Sequence, residues 1–256
     1  MAPLPTSLRT SPVRATGLSS PASNGLCTSA SGANWSAYSL QGSRRERNSD
    51  AFAVFDRDGL QVFAVGDGVG SLPGSPVASR AAVDAVVSAT ELGLIDLEPP
   101  VFAETLELVK ESVSFALHVE ELQGATTLAL VVLNGDRKLI ASVGDSEVHE
   151  VAAEGPSALL HSLDHVPSRP NVLLAWIDGQ ADVELHVASP SAAAEFICLM
   201  SDGVPGALSP DEIASIVRRV GIENGGRELV LAARRAGATD DLTAVVVRSR
   251  PHRTDS

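Results

Sequence analysis

The chain has 256 residues, 44% hydrophobic and 20% charged, enough to bury a sizeable core and form one domain, two at most. Its formal charge of −13, from 32 acidic against 19 basic residues, argues against a nucleic-acid or anionic-membrane binder working through a basic surface. Two cysteines, Cys27 and Cys198, make neither a disulfide framework nor a zinc site, and no apolar run approaches the ~18 residues of a membrane span. A cytoplasmic, reducing setting fits this usage, and a standard secretion signal is not expected. Arg outnumbers Lys seventeen to two, which points to a GC-rich genome rather than to any chemistry.

Residues 1–32 hold no acid and are rich in Ser, Thr, Pro, Ala and Gly. That is the composition of a disordered tail, the reading adopted, and also of an organelle transit peptide. The domain is expected over 33–249, with 250–256 as a C-terminal tail. Two apolar runs, 51–55 and 61–65, flank Asp56-Arg57-Asp58-Gly59 and read as a hairpin. Helices are expected from Ser75 to Leu92 and over 101–119, where Phe102, Leu106, Val109, Val113 and Ala116 form one stripe. A second hairpin pairs 126–133 with 139–143 across Asn134-Gly135. Short strands follow at 147–152, 157–161, 171–176, 182–187 and 195–200. Ser209-Pro210-Asp211-Glu212 then opens a helix with a capping box, a last helix lies at about 226–236, and 242–247 is a buried strand. This order favours an α+β layered fold with antiparallel sheets over alternating βαβ units.

Four aspartates stand where an apolar strand ends or begins: Asp67 in Val65-Gly66-Asp67-Gly68, Asp145 in Val143-Gly144-Asp145-Ser146, Asp202 in Met200-Ser201-Asp202-Gly203, and Asp240 before Leu242. Asp50 precedes the strand 51–55. Each alone reads as a turn residue. Five such sites in one sheet protein would gather like charges at one rim, where each raises its neighbours' pKa unless a cation offsets them. With no Cys/His spacing for zinc, oxygen-only ligands suit Mg²⁺ or Mn²⁺, ions that commonly serve phosphoryl chemistry. Such a site also wants a guanidinium for the phosphate, and Arg44, Arg45 and Arg47 are candidates.

The ordered set of motifs resembles the metal-dependent protein phosphatase family, the type 2C serine/threonine phosphatases. It comprises Arg45-Glu46-Arg47-Asn48-Ser49-Asp50, Asp67-Gly68-Val69-Gly70-Ser71, Gly124-Ala125-Thr126-Thr127, Val143-Gly144-Asp145-Ser146, Leu163-Asp164-His165, Ser201-Asp202-Gly203-Val204 and Asp240-Asp241-Leu242-Thr243. The resemblance implies a four-layer α-β-β-α sandwich, two antiparallel β-sheets flanked by helix pairs. It implies two Mn²⁺ or Mg²⁺ ions bridged by Asp67, with the Gly68 carbonyl on one, Asp202 and Asp240 on the other, and Asp50 holding metal-bound water. Asp145 with Asp202 matches a third, weaker metal position, and Arg45 binds the substrate phosphate. The activity so implied is hydrolysis of phosphoserine or phosphothreonine by direct attack of a metal-bridging hydroxide, with no protein nucleophile. Its partner is a phosphorylated protein, the target of a serine/threonine kinase; neither nucleic acid nor membrane is implied, and a monomer is expected.

The chain departs from the family pattern in several places. Ser49 stands for a Glu that is a metal ligand in some members, and Val69 cannot supply the proton that a His gives in others. Ser71 replaces a Gly, Glu147 an Arg, and Asp241 an Asn beside Asp240, where it adds charge. Only ten residues separate His165 from Trp176, which implies a trimmed substrate-facing flap. These departures support a second reading, a catalytically weak or inactive module on the same fold that binds a phosphoprotein or regulatory partner. A third, an acidic binding protein whose aspartates are only turns, has least support. Cys198 is read as core, His165 as a loop cap, and Trp176 as packing rather than a substrate platform.

Overall fold

The computed structural model describes residues 13–17, 27–70, 72–95, 99–161, 163–166 and 168–249. In chain order the strands are β1 (Val13–Gly17), β2 (Cys27–Gly32), β3 (Trp35–Leu40), β4 (Asp50–Arg57) and β5 (Leu60–Asp67), followed by helices α1 (Ser75–Glu91) and α2 (Pro99–Val119). Then come β6 (Leu128–Asn134), β7 (Arg137–Val143), β8 (Glu147–Val151), β9 (Ala158–Leu159), β10 (His165–Val166), β11 (Arg169–Leu173), β12 (His186–Ala188), β13 (Phe196–Met200), helix α3 (Pro210–Arg235) and β14 (Leu242–Arg248). Two six-stranded antiparallel sheets result, β1-β4-β5-β6-β7-β12 and β2-β3-β14-β13-β8-β9, with β10-β11 as a separate ribbon.

Alternation along the strands builds the layers. In β4, Phe52 and Val54 enter the core between the sheets with Trp35, Phe63, Ile197 and Val245, while Ala51, Ala53 and Phe55 face α1 and α2. Leu106, Val109 and Val113 of the expected α2 stripe are buried in that helix-side core. Cys198, Met200 and Val246 turn instead toward α3, where Ile213, Val217 and Leu229 cover them. The expected α-β-β-α sandwich is thus present, and Cys198 is core as read.

Both hairpins form as the turn residues predict. Asp58 (φ 51°) and Gly59 (φ 88°) take the left-handed pair that joins β4 to β5 with a matching twist. The capping box is complete, with the Ser209 hydroxyl accepting from Glu212 N–H and the Glu212 carboxylate accepting from Ser209 N–H. The two expected C-terminal helices run into one another, broken only at Gly221 (φ 68°, ψ −168°).

The N-terminal region requires a correction. Within the expected tail 1–32, β2 pairs with β3 in register from Cys27↔Leu40 to Gly32↔Trp35, and β1 pairs with β4. Cys27–Gly32 is an edge strand with mostly exposed residues, so it needs few apolar side chains and its composition reads as tail. The rest of 1–32 and the tail 250–256 lie outside the described residues.

Candidate active site

All five aspartates stand at one end of the sandwich. Asp50 and Asp67 are cross-strand partners at the ends of β4 and β5. Asp145 lies in the turn that carries the chain from β7 in one sheet to β8 in the other. Asp202 follows β13 and Asp240 precedes β14, which pair with each other. Carboxylates of both sheets therefore meet across the sandwich opening.

Asp67 is anchored through its backbone by the Thr126-Thr127 pair. Its N–H donates to Thr127 Oγ1 (3.1 Å), and its carbonyl accepts from Thr127 N–H (2.8 Å) and Thr126 Oγ1 (3.1 Å). Ser146 in turn holds the Thr127 hydroxyl at 2.6 Å. Ser201 donates to Asp50 Oδ2 (2.7 Å) and accepts from Thr243 N–H (2.9 Å), linking the two sheets. Asn48 positions the loop before β4, accepting from Asp50 N–H and donating to Ser39 Oγ. The Asn, Thr and Ser positions of these motifs thus serve to aim carboxylates. Thr127→Val should leave the Asp67 N–H and Ser146 hydroxyl without that partner, costing about 1–3 kcal/mol in chemical denaturation, whereas Thr127→Ser should retain most of it.

Burial and mutual repulsion set the electrostatics. Asp67 is pushed well above the ordinary carboxylate range by desolvation, then by Asp50, Asp202 and Asp145, and its carboxyl hydrogen-bonds that of Asp202. Desolvation followed by Asp241 raises Asp50 to about 8, against the opposing Ser201 bond. Asp145 is raised to about 7 by desolvation and then Asp202. Asp202 is raised by burial and Asp240.

Arg45 reaches the same cluster. Its Nε and Nη2 meet Asp240 Oδ1 at 2.8 and 2.6 Å, and Nη1 donates to the Gly70 carbonyl at 3.0 Å. Arg44 and Arg47 are exposed. Asp241 does not add a free charge beside Asp240, as expected from sequence. It is buried, with Oδ1 accepting from Gly42 N–H (2.6 Å) and Oδ2 from Ser49 N–H (2.8 Å), so its carboxylate fastens the loop that carries Arg45. Ser71 lies outside the described residues.

Further polar pairs stand at this end, joining Asp164 of the Leu163-Asp164-His165 motif and Glu147 to His186 and His149, which no motif marks. Asp164 accepts from Gly144 N–H (2.9 Å) and pairs with His186 at 2.7 Å, bracing the turn that holds Asp145. Glu147, in place of the family's Arg, engages buried His149 (2.5 Å), which meets Ser157 (2.9 Å). The span between His165 and Trp176 holds the β10-β11 ribbon. Trp176 is not packed away as the sequence suggests; it is 37% exposed.

The donor set suits a hard divalent cation. Asp50 Oδ1 is buried without a hydrogen-bond partner, and the other donors are carboxylates and carbonyls. A Cβ at Gly68 would stand 2.7 Å from the Ser49 carbonyl and 2.8 Å from that of Ser75, so only glycine lets the chain leaving β5 pass between the Ser49 loop and the start of α1. Among the described residues no three His, Cys, Asp or Glu side chains group tightly enough to hold an ion alone. That arrangement is compatible with Mg²⁺ or Mn²⁺, which keep several waters and take one or two protein carboxylates each.

Residues 42–228 match the family model for Protein phosphatase 2C. The chain is 28% identical over 155 residues to "Probable protein phosphatase 2C 59" of Arabidopsis thaliana, covering 48% of this chain and 49% of that protein. It is 30% identical over 154 residues to "Probable protein phosphatase 2C 11" of the same plant, covering 48% and 41%. The chain thus spans half or less of the length of these curated relatives. Among solved structures, the serine/threonine phosphatase PstP/Ppp of Mycobacterium tuberculosis superposes with a TM-score of 0.68 at 20% identity, covering 85% of this chain and 98% of that one. The phosphatase MsPP of Mycobacterium smegmatis, solved with cacodylate, gives 0.72 at 21% identity, covering 86% and 99%. These likenesses show the fold, and the family match extends over most of the domain. The chain belongs to the protein phosphatase 2C family.

Proposed function

We propose that the chain is a metal-dependent phosphoprotein phosphatase acting on phosphoserine or phosphothreonine. One observation carries this reading: Asp50, Asp67, Asp145, Asp202 and Asp240 converge from both sheets into a partly desolvated cluster whose repulsion a cation would offset. Asp67, the Gly68 carbonyl, Asp202 and Asp240 would hold two Mn²⁺ or Mg²⁺ ions. Asp50 would act through water, and Asp145 with Asp202 would serve a third, weaker position. Bound there, the metals supply Lewis acidity and water activation for in-line displacement at phosphorus.

The protein's own part is orientation and charge. Arg45, held beside Asp240 and Gly70, offers a planar fork that can take two phosphate oxygens, and it fixes which face of the phosphorus points at the carboxylates. Asp241, through Gly42 and Ser49, keeps that arginine loop in place. Val69 has no transferable proton, so the leaving Ser or Thr oxygen takes its proton from water. The substrate would be a protein phosphorylated by a serine/threonine kinase, and the enzyme a cytoplasmic monomer. The net charge of −13 supports the exclusion of nucleic acid and of anionic membrane. No helix among the described residues is long and apolar enough to cross a membrane.

A second reading, a module that binds phosphoprotein without turnover, draws on the engagement of Arg45 by Asp240. Hydrolysis of p-nitrophenyl phosphate and a phosphothreonine peptide, with Mn²⁺ or Mg²⁺ and with chelator, separates the two. Turnover that requires metal supports the enzyme, whereas its absence in a protein that still binds metal supports the module. Within the enzyme, Arg45→Ala should raise KM at least about 10-fold while exposed Arg44→Ala changes it less than about 2-fold, as loss of one charge-assisted fork requires. The reverse result would move the phosphate role by one position.

A further inference from the structure

A cavity of about 1160 Å³ opens beside the Asp67–Gly70 turn. Its apolar wall includes Val69, Leu117, Leu122, Val172 and Trp176, and Glu121 and Asp178 border it; neither Lys nor Arg lines it. Backbone bonds tie the cavity wall to the candidate active site. Val69 N–H donates to the Ala125 carbonyl (2.9 Å), and Gly70, next in the chain, accepts from Arg45. Ile177, the buried residue between the wall residues Trp176 and Asp178, exchanges hydrogen bonds with Thr126 (2.8 and 3.0 Å), the residue whose hydroxyl holds the Asp67 carbonyl.

Its outer wall is preformed. Asp178 Oδ1 accepts from the N–H groups of Gln180 and Ala181 (both 2.8 Å), and Oδ2 accepts from Trp176 Nε1 (3.2 Å), which fixes the indole. Gly179 (φ 85°) seats this loop against α2 so closely that a Cβ would stand 2.4 Å from Ser114 Cβ. An occupant therefore meets an ordered apolar surface and need not order it on binding.

Resting on the phosphatase reading above, we propose that this cavity is the groove for the substrate chain beside the phosphoresidue, and that it selects a large apolar residue accompanied by a basic one. The apolar side chain lies against Trp176 and Leu122, and the basic one faces Glu121 and Asp178. Charge complementarity names the partner, because acids without lysine or arginine in the lining favour a cationic flank and repel an acidic one.

Two fluorescein-labelled peptides test this, each carrying a phosphonate analogue of phosphothreonine that cannot be hydrolysed. One has Leu and Arg beside it, the other Ala and Glu, and fluorescence anisotropy with the full chain reads binding whether or not turnover occurs. The Leu-Arg peptide should bind at least about 10-fold more tightly. Trp176→Ala should cut its affinity about 5-fold or more, Trp176→Phe should restore most of the loss, and exposed Glu121→Lys should shrink the preference for Arg. Hydrolysis of p-nitrophenyl phosphate, too small to span the groove, should be unchanged in all three variants. Equal affinity for the two peptides, or no effect of Trp176→Ala, would overturn the groove. Absence of p-nitrophenyl phosphate turnover in a wild type that keeps its peptide preference would overturn the catalytic reading while leaving the groove in place.

Discussion

Asp67→Asn should lower metal-dependent turnover by about three orders of magnitude or more, the scale expected when the bridging ligand of a two-metal site is lost, while making the chelated protein more stable. The substitution is nearly isosteric and keeps the backbone bonds to Thr126 and Thr127, so the strand end should hold its place. What it removes is a carboxylate raised by burial and by Asp50, Asp202 and Asp145. Relief of that repulsion should appear as a higher Tm in chelator. Calorimetry and phosphate-release kinetics on one preparation read both effects. A variant that is fully active would remove Asp67 from the reaction, and one that is inactive but less stable would point to a structural role instead.

Chelation should destabilise the protein more at pH 8 than at pH 5.5. Asp50 and Asp145 are raised to about 8 and about 7, so between the unfolded carboxylate range near pH 4 and those values the folded state holds protons that the unfolded chain has released. The native state then binds more protons than the unfolded one, and their contribution to stability falls as pH rises through that window. Cations reverse the sign, because they bind the ionised carboxylates and bind more tightly once the protons have left. An ion at about 100 times its Kd contributes roughly 2.7 kcal/mol, which raises Tm by about 5–10 °C in a domain of this size. Thermal scans with Mn²⁺ and with chelator should therefore show a wider gap at pH 8 than at pH 5.5. A Tm indifferent to metal at pH 8 would contradict the site.

Local chemistry made much of this site legible. Val65-Gly66-Asp67-Gly68 and Met200-Ser201-Asp202-Gly203 announce a strand and its end together, and antiparallel pairing then brings Asp50 opposite Asp67. The same local logic reveals the Ser209–Glu212 capping box and the turn at Asp58-Gly59, since each depends on residues a few positions apart. Features set by distant partners were not legible. Asp241 reads as surplus charge until the N–H groups of Gly42 and Ser49 are seen to close on it across 199 and 192 positions of chain. His186 carries no motif, and only the β7-β12 pairing brings it near Asp164. Cys27–Gly32 hides its strand because an edge position demands little hydrophobicity. Trp176 reads as core by its type, yet the Asp178 bond holds it at a cavity wall.

The strand-end carboxylates are the centre of this account, and Mn²⁺ titration by isothermal calorimetry tests them most directly, with wild type, Asp67→Asn and Asp202→Asn compared at pH 8. The expected result is saturable binding of at least two ions by the wild type, with proton release, and loss of at least one ion in each variant. Binding of no Mn²⁺ by a folded wild type at millimolar concentration, or unchanged stoichiometry and affinity in both variants, would show that these aspartates are only the ends of strands.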